Sequence, residues 1–291
     1  MDDYLKQTPY SDPGDLGLGL GLGLGLDDLP RDPGELARVV RDLIIHRGEG
    51  QLFGYTVPEQ RLHEDAESRY VREILRILRE RGDGPLTERR PPEGRFVGTC
   101  RDFSLLHCSL LRATGTPARP RCGFAGYFVE GFHEDHWVTE YRLPDGGWRL
   151  ADAQTHHEYE LPFDPMDVPR DQFLVAGDAW RMCREEGADP ETFGLGGSDW
   201  LKGLWFVRGN VVRDLAALNG VELLPWDGWG PEFLGRAPLT ADDLAAADAV
   251  AAARTEDDWR RLSTDPRLAV PAEIVSYTPY LGDRRVTLAQ G

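Results

Sequence analysis

The 291-residue chain carries a formal charge of −17, 41% hydrophobic residues and eight tryptophans. That is apolar material for one good core plus an extension, or for two small domains, and the acidic excess argues against nucleic acid and anionic membrane surfaces as partners, since both call for basic patches. Four cysteines, Cys100, Cys108, Cys122 and Cys183, form no CxxC pair and no charged-then-apolar leader opens the chain, so free thiols in a reducing cytoplasm are expected and a structural zinc site is not.

Leu16 to Leu26 is a strict Leu-Gly alternation between Asp-rich turns. It is too short to span a membrane, and its glycines weaken any helix. Residues 1–30 read as a low-complexity segment without chemistry; a strand docking its leucine face on the core is the alternative. From Asp32 to Arg47 the spacing predicts a helix, with Pro33 near its start, Leu36, Val39, Val40, Leu43 and Ile44 on one face, and His46 at the negative end of its dipole. A second helix is predicted over Asp65 to Glu80. Residues 82–96 form a Pro- and Arg-rich connection. Arg89, Arg90 and Arg95 are there the candidates for a substrate carboxylate or phosphate, against a plain solvated loop.

Gly98 to Gln154 is the richest stretch. Thr99 is a good N-cap, and apolar residues at Phe103, Leu105, Leu106, Leu110 and Leu111 predict a helix from Cys100 to Ala113, ended by Thr114-Gly115. Cys100 then sits in the first helical turn, where unpaired N–H groups and the helix dipole favour a thiolate. Gly98 allows close approach in front of the sulfur. Extended runs follow over Arg121 to Val129, His136 to Leu143 and Trp148 to Ala153, with turn chemistry at Pro144-Asp145-Gly146-Gly147. Pairing Arg142 with Gly146 sets His136 opposite Asp152 on one face; a two-residue slip leaves them diagonal, and a one-residue slip separates them. Cys100, His136 and Asp152 are thus a nucleophile, a base and a group to orient the base.

Neighbouring polar residues have plainer readings. His133, His136 and His156 with Glu134 or Asp135 form the metal alternative, but His133-x-x-His136 suits a helix, and this segment reads as a loop entering a strand. His133, His156 and His157 are expected on exposed loops. Arg101 and Asp102 read first as a local ion pair, with Asp102 also a substrate-contact candidate beside Arg95. Trp137 is expected to pack behind His136 and hold it, and is a further substrate-contact candidate. Cys108 and Cys122 read as small buried hydrophobes.

Past Pro169 the composition changes. A helix is expected from Asp171 to Glu186, followed by the Gly-rich Gly194 to Gly197, an aromatic segment with Trp200, Trp205 and Phe206, a helix over Val211 to Leu218, and a Pro- and Trp-rich turn over Leu223 to Trp229. The tryptophans read as packing of an extension on the core, with closure over a substrate the alternative. Thr240 to Ala253 and Thr255 to Leu262 are capped helices, an Ala-rich pair suited to a surface lid or a dimer contact.

At Gly98-x-Cys100-x-x-Phe103, His136-Trp137 and Leu150-Ala151-Asp152 the chain resembles the transglutaminase-like superfamily of cysteine enzymes, as a small bacterial-type member. The likeness covers roughly 60 residues. It implies an α+β, papain-like core with the nucleophile helix packed on an antiparallel sheet, Cys100 as nucleophile, His136 as general base and acid, and Asp152 as the residue that orients the imidazole. It also implies acyl transfer through a Cys thioester, with a small-molecule or peptide acyl donor, an amine or water as acceptor, and no cofactor or metal. A cysteine protease or amidohydrolase of the same fold, and a non-catalytic binding module, are the alternatives. The domain organisation expected is a low-complexity segment over 1–30, a catalytic core over 31–168 and a mostly helical, Trp-rich extension over 169–291.

Overall fold

The computed structural model describes residues 3–14, 28–230, 238–278 and 280–289, so the Leu-Gly repeat lies outside the described residues. Two compact units emerge: one comprises residues up to Pro120 together with Val138–Val168, the other Arg121–Trp137 together with the chain from Pro169.

The first unit opens with α1 (Pro33–Leu43), whose Asp32 N-cap accepts from the Gly34 and Glu35 N–H groups. The helix stops before His46. Instead of capping a dipole, His46 ends the strand β1 (Ile44–His46), and its Nδ1 accepts from Gly48 N–H at 3.2 Å. The β-branched pair Ile44-Ile45 favours the extended form, and periodicity alone did not separate it from the helix. The helix expected over Asp65 to Glu80 begins only at Val71, as α3 (Val71–Glu80), and a short helix that was not expected, α2 (Glu59–Glu64), precedes it. Asp65, buried between them, accepts from Arg81 at 2.6 Å through each oxygen and from Val97 N–H at 2.8 Å, contacts that a continuous helix would forgo.

β2 (Phe96–Gly98) pairs in parallel with β1, with His46 opposite Gly98, and leads into α4 (Cys100–Ala113). β3 (Ala118–Val129) and β4 (Phe132–Arg142) each run through both units. α4 lies on the first-unit part of β4: Ser104 Oγ donates to Val138 O at 2.7 Å, and Thr139 Oγ1 donates to Ser104 O at 3.3 Å. β5 (Trp148–Ala151) pairs antiparallel with β4, Arg142 opposite Trp148 and Thr139 opposite Ala151. The expected partner of Arg142 was Gly146. The turn is longer because Gly147 N–H turns back onto Asp145 Oδ1 and Gly147 O accepts from Leu143 N–H, which leaves residues 143–147 outside the ladder. The displacement is two residues, so side-chain parity is unchanged.

In the second unit β6 (Phe173–Val175) pairs antiparallel with β3 and runs into α5 (Ala176–Glu185), where a single helix was expected. β7 (Phe193–Gly194) pairs in parallel with β4 at His133 and Glu134, completing a sheet of order β5-β4-β3-β6 with β7 beside β4. α6 (Leu204–Leu218) packs with α5, and later with α7 (Ala241–Ala252) and α8 (Glu256–Ser263), around Trp180, Phe206 and Val211. Thr240 and Asp243 form the predicted capping box of α7. Between α6 and α7 lies β8 (Asp227–Gly228); with β9 (Glu273–Thr278) and β10 (Gly282–Thr287) it makes an antiparallel sheet that the expectation of a mostly helical extension omitted. Trp205 and Trp229 pack on the helical core, whereas Trp200 is 58% exposed and stacks on Trp205.

A buried ion pair pins α6 to β3. Arg121 donates through Nε and Nη2 to the two carboxylate oxygens of Asp214 at 3.0 and 2.8 Å, and Cys122 N–H donates to the same carboxylate at 2.9 Å. Removing one partner strands the other charge. Asp214→Ala is therefore expected to lower unfolding stability in urea by about 3 to 5 kcal/mol, and a loss under about 1 kcal/mol would show that the pair is not holding the two elements together.

Candidate active site

Cys100 is the first residue of α4, 8% exposed, behind the extended N-cap Thr99. Asp102, at the third helical position, accepts from Thr99 N–H at 2.8 Å and from Thr99 Oγ1 at 3.1 Å through Oδ2, while its Oδ1 takes Arg101 Nη1 at 2.9 Å. Arg101 also donates to Arg69 O at 2.6 Å. Asp102 and Arg101 are fully buried, so the local pairing expected for them is present and Asp102 has no face for a substrate. Burial pushes the Asp102 carboxyl upward, against the pull of Arg101 and the Thr99 N–H. Gly98 is needed here for a reason other than space before the sulfur: a Cβ on it would lie 3.0 Å from both Asp102 Cβ and Oδ2.

Arg95 and Trp137, also expected beside a substrate, are each 1% exposed. Arg95 donates to Arg90 O and Arg41 O and lies over the Phe53 ring, and burial pulls its pKa down. Arg90 is equally inward, donating to the carbonyls of Leu78, Gly82 and Gly84. Only Arg89 of this group stays exposed, paired with Asp42 and Glu158. The Pro- and Arg-rich connection is therefore held from inside by arginines that satisfy backbone carbonyls.

His136 lies on β4 in the second unit, whose boundary falls after Trp137. It is 2% exposed, and its ring meets those of Phe128 at 5.0 Å, Tyr127 at 6.1 Å and Phe173 at 6.3 Å, all edge to face. These rings pack around the imidazole. His133, Glu134 and Asp135 are strand residues where a loop was expected. His133 stacks on Phe193 at 4.2 Å, and burial lowers its pKa. Burial raises the pKa of Glu134, whose oxygens accept from Gly196 N–H, and of Asp135, which faces Arg213 and takes Asn210 Nδ2 at 2.8 Å. No group of three His, Cys, Asp or Glu residues suited to a metal ion occurs among the described residues.

Asp152 follows β5 in the first unit. Carrying the β4–β5 register one residue further sets it opposite Val138, which follows His136 by two residues on the same strand. Its N–H donates to Pro165 O at 2.7 Å, and its Oδ1 accepts from Gln154 N–H at 2.9 Å and Thr155 N–H at 3.4 Å. Sequence reasoning missed what lies beyond this turn. Gln154 Nε2 and Tyr159 OH both donate to Glu49, a contact across more than a hundred residues with no local pattern to announce it. His156 is partly buried and His157 exposed, with φ at 64° in the turn.

The model of the transglutaminase-like superfamily matches residues 64–153. Among solved structures, a proposed cysteine protease from Cytophaga hutchinsonii is similar at 16% identity and a TM-score of 0.34, over 59% of this chain and 44% of its own. Red sea bream transglutaminase is similar at 18% identity and a TM-score of 0.30, over 46% of this chain and 26% of its own. The chain thus spans less than half of either structure. No curated protein matches.

His107, two turns along α4 from Cys100, is fully buried. Its Nε2–H donates to Pro33 O at 3.1 Å, and its Nδ1 has no partner among the described residues. Burial pulls its pKa to about 4, against the Pro33 bond and Asp152. Because the folded pKa is depressed, the unfolded chain binds the extra proton between pH 6.5 and about 4, and stability is lost as pH falls through that window. The shift corresponds to about 3 kcal/mol. Urea unfolding of the wild type and of His107→Gln at pH 7.5 and pH 5 is expected to show a smaller acid loss in the variant; equal losses would mean that His107 is not the group responsible.

Proposed function

Taking residues 64–153 as a transglutaminase-like core, we propose that this chain is a cysteine-dependent acyl-transfer enzyme whose triad is Cys100, His136 and Asp152. The observation that carries the reading is the position of Cys100 as the first residue of a capped helix. A neighbouring carboxylate would ordinarily oppose a thiolate, but that of Asp102 is bound by Arg101 and the Thr99 N–H. The positive end of the helix dipole is left to act on the sulfur.

In the proposed reaction the Cys100 thiolate attacks the carbonyl carbon of an amide or thioester, giving a tetrahedral oxyanion. The Cys100 N–H is one natural donor to that oxyanion. As the intermediate collapses, the imidazolium of His136 protonates the departing amine or thiol, and an acyl thioester remains. An amine or water then attacks the thioester, His136 takes its proton, and the thiolate departs. Asp152 orients the imidazole and favours its charged form. The donor is a small molecule or peptide. No helix among the described residues is long and apolar enough to cross a membrane.

Iodoacetamide labelling against pH, read at each cysteine by peptide mass spectrometry, tests the reading. Cys100 is expected to label fast well below the free-thiol pKa of roughly 8.5, and His136→Ala to slow it at least about tenfold near neutral pH. Cys183, whose pKa burial raises to about 11, supplies a slow internal reference. Labelling of Cys100 no faster than an ordinary thiol, unaffected by His136→Ala, would favour a non-catalytic binding module. Product analysis with and without added amine separates the two enzyme classes, since a transferase forms the new amide and a hydrolase only the acid.

A further inference from the structure

Two segments distant in sequence, residues 41–49 and 154–159, meet on one buried carboxylate in the first unit. Glu49 Oε2 accepts from Arg41 Nη1 at 2.8 Å, and its Oε1 accepts from Gln154 Nε2 at 2.8 Å and Tyr159 OH at 2.7 Å. Glu49, Arg41 and Gln154 are buried and Tyr159 partly so. Burial opposes the charge on Glu49 but is outweighed by Arg41, His46 and the hydrogen bonds, which keep its pKa below the usual carboxylate range. Burial and the neighbouring Glu49 push the pKa of the Tyr159 phenol up, so it stays a hydrogen-bond donor to that carboxylate.

Both ends of this cluster lead to residues of the triad. On one side, Glu49 N–H donates to His46 O, and Arg47 N–H to Gly98 O at 2.9 Å, two residues before Cys100. On the other, Gln154 has two roles at once: its side chain holds Glu49, and its own N–H holds Asp152 Oδ1 at 2.9 Å. The Asp152 backbone is meanwhile tethered to Pro165. A carboxylate that accepts directional bonds from a fixed turn keeps one rotamer; a turn free to rock does not fix it.

We propose that Glu49, acting through Gln154, is the positioning residue that fixes the Asp152 carboxylate for its work in the triad. The inference rests on the assignment of Cys100, His136 and Asp152 given above. Glu49 contacts no reacting atom in this scheme. It braces the loop after β1, which is bonded to the strand leading to the nucleophile, against the turn that carries the acid. Without the brace the turn and the Asp152 carboxylate rotate, the imidazolium loses its oriented partner, and the thiolate it stabilises becomes scarcer at neutral pH.

Gln154→Met in the full chain removes the side-chain donor while keeping its length, the backbone N–H to Asp152, and the Arg41–Glu49–Tyr159 bonds. The labelling profile of Cys100 is expected to move to higher pH and its rate near pH 7 to fall about tenfold, while the thermal midpoint changes little and Cys183 labels as before. A brace that merely stabilises the fold would lower the midpoint and leave the pH profile in place. Should Gln154→Met fail to fold, Tyr159→Phe removes the other donor to the same oxygen and is expected to give a smaller shift in the same direction. A wild-type profile in the folded variant, with His136→Ala still slowing Cys100, overturns the role of Glu49 and leaves the triad standing. Slow labelling of Cys100 in the wild type itself overturns the triad, and the Glu49 proposal with it.

Discussion

The start of α4 depends on one buried carboxylate. Asp102 closes the cap on Thr99, takes a guanidinium from Arg101, and through Arg101 is joined to the carbonyls of Arg69 and Ser68 in the connection between α2 and α3. An uncompensated charge at such depth would cost several kcal/mol, so these partners are a condition of the fold. Because the carboxylate is occupied, the first turn of α4 keeps its positive end directed at Cys100. Gly98 is part of the same requirement, since any side chain there would press on Asp102.

The principle recurs across the first unit, where arginines serve as internal hydrogen-bond donors. Arg90 satisfies three carbonyls, Arg95 two, and Arg112 the carbonyl of Ala118 and the hydroxyl of Ser11. Arg119 pairs with Glu140 and lies 4.0 Å over the Trp148 ring. A guanidinium presents five donors in a rigid fork and sheds water more readily than an ammonium, which suits it to irregular connections whose carbonyls have no ladder to join. The chain's net charge of −17 gives no hint of this, because a net charge does not say which residues are buried.

The same distinction decides what the sequence makes legible. α4 was readable residue for residue, since its cap, apolar spacing and terminating Thr-Gly are all local. The parity of His136 and Asp152 was also readable, although the turn that fixes the register was two residues longer than supposed. Ile44-Ile45, Asp65 and Phe173-Leu174 were misread because each lies against a helix whose period continues through it; long-range pairing, to β2, to Arg81 and to β3, ends the helical path there. The inward arginines and the Glu49 cluster had no local signal. Burial of a charge is decided by partners tens of residues away, and nothing in the spacing of Arg95 distinguishes it from the exposed Arg89.

Buried ion pairs are poor sources of stability, because desolvation consumes most of what attraction returns, and an apolar replacement of similar volume often does as well. The Arg41–Glu49 pair is better understood through its directions. Arg41 lies between the rings of Phe53 and Phe103, so the carboxylate it holds is fixed relative to α4 itself. That carboxylate then offers its second oxygen to the segment following Asp152. An apolar contact at the same place would hold the segment at a distance but not at an angle, and in the proposed triad a group that orients an imidazole would act through its angle. The charge is retained, on this argument, for the geometry it transmits.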